Sequence, residues 1–135
     1  MSDNRLVQGV VLAHGAMAQG LVDAVDRISG VAKEALLPIS NDGKSPESIS
    51  AELEDAFGHG PTIIFTDLPS GSCALAARVC CREEKDAAVL FGVNLPVLLD
   101  FVFHRDMSLD ELVPRLLEKG RTGMSSLPQF SQPGG

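Results

Sequence analysis

Two side chains with reactive chemistry stand at the ends of apolar runs in this chain. His14 closes "VVLAHG", and Asp67 closes "IIFTD". After Asp67 comes "LPSGSC", which supplies Ser70, Gly71, Ser72 and Cys73. A carboxylate that accepts one ring N–H of a histidine selects its tautomer. The other ring nitrogen is then free to act as a nucleophile. A Ser-Gly-Ser stretch at the start of a helix offers backbone N–H groups and the Ser72 hydroxyl to a phosphoryl group. His14, Asp67 and this cradle therefore suit phosphoryl transfer onto nitrogen, with no metal or cofactor supplied by the chain. Each part also has a plainer reading. A histidine after a strand is often structural, an aspartate there often caps a turn, and Gly-Ser pairs start many helices. A second chemistry is open as well, because His14, Asp67 and Cys73 are all metal-ligand types.

These residues can act together only if the fold joins them. "LVQGVVLA" (6–13) reads as a first strand. Met17 to Ser29 reads as a helix, with Leu21, Val25 and Ile28 on one face and Gly30 as its stop. "ALLPIS" (35–40) reads as a second strand, placed at an edge by Pro38. Ser45 and Pro46 open a helix whose stripe is Ile49, Leu53, Ala56 and Phe57. "PTIIFTD" (61–67) is a third strand, and Ser72 to Arg82 a third helix. "AAVLFGVN" (87–94) is a fourth strand, followed by a helix from Leu95 to about His104. Ser108 and Glu111 form a capping box for a last helix to about Lys119, with Pro114 inside it. "TGMSSL" (122–127) reads as a short edge strand, and 128–135 as a flexible tail.

Strands alternating with helices imply a mainly parallel sheet covered on both faces. The expected fold is a flavodoxin-like three-layer α/β sandwich with strand order 2-1-3-4. Such sheets bind ligands beyond the C-terminal ends of their strands, at the switch in order. Strands 1 and 3 are then neighbours about 5 Å apart, which sets His14 beside Asp67.

Composition narrows the function. The 135 residues carry a formal charge of −7, with Lys and Arg scattered, and this argues against nucleic acid. No apolar run approaches the roughly 20 residues of a membrane span. The first residues have no signal-peptide pattern, so a cytoplasmic site is expected. Trp and Tyr are absent and Phe numbers 6, so the core must be mainly aliphatic. Cys73, Cys80 and Cys81 lack a C-x-x-C spacing and read as reduced thiols. His59 reads as a surface residue before a strand. His104 suits a helix C-terminus, which Arg105 and Asp106 would fasten.

"GVVLAHGAMAQGLVDAVDRISG", "IIFTDLPSGSCALAARV" and "LFGVNLPVLLDFVFHRD" together resemble the mannose-type enzyme IIA domain of the bacterial phosphotransferase system. The match runs from the first strand to "LDELV" and "EKGRTGM". The resemblance implies a phosphocarrier domain over residues 1–127. It takes a phosphoryl group from phospho-HPr onto His14 and passes it to an enzyme IIB in sugar uptake. Asp67 matches the aspartate partner, and Ser70, Gly71 and Ser72 the phosphate-binding loop. The resemblance also implies that the edge strand over 122–127 is antiparallel. A homodimer is implied, with indirect association with a membrane permease and no insertion of its own. The loop departs from the family pattern: Ser70 stands where a glycine is usual, and Cys73 where a proline is usual.

Neighbouring readings are a donor subunit for a dihydroxyacetone kinase and a regulatory phosphotransferase domain. "GVNLP" favours the sugar-system type over the first. A flavodoxin-like cofactor module would want hydroxyl groups after strand 1, where "HGAMAQG" has none. A histidine phosphatase would want an arginine where Ala13 stands. A chelatase-like or metal-binding module would use His14, Asp67 and Cys73.

Overall fold

The structure is a computed structural model that describes residues 5–131. Four strands form one sheet: β1 (Gln8–Ala13), β2 (Leu36–Ser40), β3 (Thr62–Thr66) and β4 (Ala87–Phe91). Their spatial order is β2-β1-β3-β4, and every pair is parallel. This is the flavodoxin-like, doubly wound arrangement expected from the alternating pattern. The helices are α1 (Met17–Ser29), α2 (Ala32–Ala35), α3 (Pro46–Phe57), α4 (Ser72–Cys81), α5 (Leu95–Val102) and α6 (Leu109–Thr122). None of the described helices is long and apolar enough to cross a membrane.

Side chains alternate across a strand, so each strand feeds two cores. Val11, Ile63, Phe65 and Leu90 pack with α1, α2, α5 and α6 on one face. Val10, Leu12, Ile39 and Ile64 pack with α3 and α4 on the other. Phe65 meets Phe101 edge to face at 5.2 Å between ring centres. Strands buried on both faces read as unbroken apolar runs, which is why β1 and β3 are legible.

Local signals set the helix ends. Gly30 takes a φ of 76° and donates its N–H to the Asp26 carbonyl, closing α1. The Ser45 hydroxyl accepts the Ser48 N–H at 3.1 Å, with Pro46 at the first helical position. Ser108 accepts the Glu111 N–H and donates its hydroxyl to the Glu111 carboxylate.

Four expectations change. Ile28, expected on the packed face of α1, is exposed, and Ala18 and Val22 are buried with Val25 instead. The single turn α2 is new, because four residues are too short for a periodic signal. β4 ends at Phe91 rather than Asn94. Gly92, at φ 83°, turns the chain so that it and Val93 both donate N–H to the Thr66 carbonyl, and Asn94 then caps α5. The antiparallel edge strand expected over 122–127 does not form among the described residues. α6 instead runs on through Thr122, and Met124, Leu127 and Phe130 stand exposed. A strand needs a neighbour to take its N–H groups, and among the described residues this segment pairs with none. Of the expected tail, residues 132–135 lie outside those described, as do residues 1–4.

Arg105 fastens the opposite end of the sheet from His14. Its guanidinium donates to the Val7 carbonyl at 2.9 Å, and Val7 N–H donates back to the Arg105 carbonyl. The His104 ring bonds the Asp100 carbonyl at 2.7 Å, and Arg115 grips the Asp100 carboxylate through two bonds of 2.8 and 3.0 Å. His104 and Arg105 are thus architecture.

Candidate functional site

β1 and β3 pair with Leu12 opposite Thr66. The residues just past both strand ends therefore emerge together, and they include His14 and Asp67. Asp67 Oδ2 lies 2.8 Å from His14 Nδ1 and also accepts the His14 backbone N–H at 3.0 Å. Its other oxygen accepts the Leu68 N–H at 3.0 Å. An ionised carboxylate can only accept, so the proton sits on Nδ1 and Nε2 carries the lone pair. The Asp67 side chain is 8% exposed and that of His14 42%, so the carboxylate is enclosed while the ring faces outward. Burial alone would raise the Asp67 pKa. The hydrogen bonds from the His14 backbone and ring outweigh it and hold this carboxyl below its ordinary 3.8.

The loop after β3 has its own fastenings. The Thr66 hydroxyl donates to the Leu68 carbonyl at 3.0 Å, and Arg78 donates to the Pro69 carbonyl at 2.9 Å. The Arg78 guanidinium also lies 4.2 Å above the Phe91 ring. Gly71 precedes α4 with φ 98°, a backbone conformation that only glycine adopts at little cost. A Cβ on Gly71 would lie 3.9 Å from His14 Cε1, so the start of α4 borders the imidazole. Ser70, Gly71 and Ser72 are all exposed there. The start of α4, with two exposed hydroxyls, thus lies near the ring carbon between Nδ1 and Nε2.

Cys73 is fully buried, with Sγ 3.8 Å from His14 Nδ1. Burial, and then the Asp67 charge, push its thiol pKa up, against a hydrogen bond from Ser72. It is therefore held as the thiol, a poor nucleophile. Cys80 and Cys81 are unbridged and half-buried.

Ser40 and Asn41 belong to the site's support but carried no signal in sequence terms. The Ser40 hydroxyl donates to the Gly15 carbonyl at 2.8 Å, and the Asn41 side chain accepts the Gly15 N–H at 3.3 Å. Together they brace the turn that carries His14, which Gly15 makes possible at φ 61°. Their position at the end of a strand beside β1 is the clue that could have found them. His59 is far from this cluster in kind as well as place: exposed, and 3.9 Å from Asp55 one helical turn back. A hollow of about 630 Å³ bordered by Arg5, Lys85, Asp86 and Asp106 contains none of the site residues.

A family model described as the PTS system fructose IIA component (EIIA-man) matches residues 9–117. The PTS system mannose-specific EIIAB component of Escherichia coli strain K12 is 27% identical over 124 residues. That alignment covers 87% of this chain and 38% of the relative, so the chain spans well under half the length of the curated relatives it matches. Among solved structures, phosphotransferase system component EIIA from Streptococcus agalactiae superposes with a TM-score of 0.83 at 24% identity, covering 90% of this chain and 97% of that one. The mannose/sorbose specific IIA subunit from Enterococcus faecalis gives 0.79 at 19% identity, covering 94% and 98%.

Proposed function

Because the chain belongs to the EIIA-man family, the PTS system fructose IIA component, we propose that it is a phosphocarrier of a sugar phosphotransferase system. The observation that carries this reading is the His14–Asp67 pair, with Nδ1 held at 2.8 Å and Nε2 free. The Nε2 lone pair attacks the phosphorus of phospho-HPr in line, and the bond from phosphorus to the donor breaks as the new N–P bond forms. Positive charge then develops on the ring, and Asp67 balances it from the far side without giving up or taking a proton. Ser70, Gly71 and Ser72 hold the phosphoryl oxygens through N–H and O–H donors, with the N-terminus of α4 behind them. Transfer onward to an enzyme IIB reverses the same geometry.

Residues 1–127 constitute the carrier domain in this reading, and the residues after them a tail. The chain works in the cytoplasm, as a homodimer, and meets its permease through enzyme IIB. Exposed Leu68 and Leu75 beside the site support docking of protein partners there. Incubation with enzyme I, HPr and phosphoenolpyruvate should add the mass of one phosphoryl group to the intact protein. His14→Ala should add none while keeping its circular dichroism. Labelling of that variant at the wild-type level would defeat the assignment.

A further inference from the structure

We propose that His14, Asp67 and Cys73 form a site for a thiophilic divalent cation of the zinc class, and that its occupation and the phosphorylation of His14 exclude one another. Nδ1 of His14, a carboxylate oxygen of Asp67 and Sγ of Cys73 all lie within 4.8 Å of one another. Two of the separations are 2.8 Å, from Nδ1 to Oδ2, and 3.8 Å, from Nδ1 to Sγ. Tetrahedral zinc with one such nitrogen, oxygen and sulfur sets its donors about 3.3–3.6 Å apart. These two spacings straddle that range, and the third, from the carboxylate to Sγ, is no more than 4.8 Å, so side-chain shifts of about an ångström suffice. One nitrogen, one carboxylate and one thiolate suit a borderline-soft metal and do not suit magnesium or calcium. The thiolate and carboxylate also neutralise the two positive charges. Water takes the fourth position. Asp67 is already oriented by the Leu68 N–H on its other oxygen, which supplies the outer support such ligands need.

Exclusion follows from proton bookkeeping on the imidazole. A neutral ring has one N–H and one lone pair. When Nδ1 binds the metal, the ring proton sits on Nε2, which then has no lone pair to attack phosphorus. The Cys73 thiol gives its proton to solvent, and nothing is oxidised or reduced. When Nε2 carries the phosphoryl group, Nδ1 keeps its proton toward Asp67 and cannot bind a metal. The cation thus holds the carrier in an unphosphorylated, unreactive state, and phosphorylation expels it. By linkage each event weakens the other to the same degree.

This inference rests on His14 as acceptor for its inhibitory half, whereas metal binding is tested without any phosphoryl donor. Cobalt chloride is titrated into unphosphorylated wild-type protein, and into a Cys80→Ser/Cys81→Ser background that removes the other thiols. A one-to-one complex with an intense near-ultraviolet thiolate-to-cobalt band is expected in both. Zinc should bleach it. Cys73→Ala in the same background should lose the band yet still take phosphate from phospho-HPr. His14→Ala should weaken cobalt binding. Equimolar zinc should slow single-turnover labelling of wild type by at least about tenfold and leave Cys73→Ala unaffected. Phosphorylated protein should bind cobalt weakly. Absence of the band in wild type at micromolar cobalt, or its survival in Cys73→Ala, would overturn the metal site. A band with labelling insensitive to zinc would overturn the exclusion. A band in a protein that takes no phosphate at His14 would remove the proposed function and leave the metal site standing.

Discussion

Asp67 has both carboxylate oxygens committed to N–H donors: Leu68 on one, the His14 backbone and ring on the other. An amide at this position must turn its NH2 toward one of those donors. Asp67→Asn therefore leaves a donor facing a donor in a largely enclosed place, and it can push the ring proton onto Nε2. Phosphoryl transfer from phospho-HPr should slow by about ten- to hundred-fold, and unfolding free energy should fall by about 1–3 kcal/mol. Rapid-quench labelling and urea unfolding measure the two. The stability difference also has a pH signature. Because the folded-state pKa of Asp67 lies below 3.8, its ionisation stabilises the fold fully above that value. That contribution is lost as pH falls through the lower folded-state pKa. The gap between wild type and Asp67→Asn should thus be widest near neutrality and narrow in acid below 3.8. A gap constant down to strong acid would mean the carboxylate charge is not what stabilises the turn.

At the scale of elements, β1 is the strand that everything else is built around, with β2 and β3 on its two sides and helices on both faces. Gly9 lies early in β1, where α5 and the start of β2 approach closely. A Cβ there would come within 2.6 Å of a Phe101 ring carbon, 2.7 Å of a Leu36 methyl and 3.0 Å of the Ala35 carbonyl oxygen. Phe101 is fully buried and has no free space to retreat into. Gly9→Ala should destabilise the domain by about 1–3 kcal/mol in urea unfolding. Labelling of the folded protein at His14 should be unchanged, since the site is at the strand's other end. A neutral effect on stability would show that α5 yields more readily than its packing suggests. The sequence pattern placed a strand here from its apolar run, but gave no hint of this contact. Which face Gly9 turns to α5 depends on how α5, some ninety residues later, lies across the sheet.

For the whole molecule, β4 ends the sheet, and an apolar hollow of about 210 Å³ lies beside it. It is lined by Phe65, Leu90, Val97, Leu116 and Leu117 among others. Met124, Leu127 and Phe130 follow α6 and are more than 70% exposed, at 85, 96 and 75%. An open edge next to an apolar hollow, with an apolar segment left over, favours exchange of that segment between two copies. Sedimentation at micromolar concentration should give a dimer, and deletion of residues 123–135 should give a folded monomer. A monomer with the segment intact would rule this assembly out.

Short-range instructions made much of this architecture readable. Ser45 with Pro46, Ser108 with Glu111, and Gly30 each satisfy or end a helix through atoms a few residues away. Their meaning is therefore written locally. The alternation of apolar runs with helical stripes carried the parallel order, because crossover handedness leaves few other ways to cover both faces. Even the meeting of His14 with Asp67 followed, as each stands just beyond one of two neighbouring strands. Long-range packing decided the rest. That Asp67 holds Nδ1 and leaves Nε2 free is a matter of register and rotamer across 53 residues. That Cys73 comes within 3.8 Å of the same nitrogen spans 59 residues. Ser40 and Asn41 became supports of Gly15 only because β2 lies against β1. The edge strand expected over 122–127 does not form among the described residues, because a strand is completed by its neighbour's hydrogen bonds, and those are not a property of the segment.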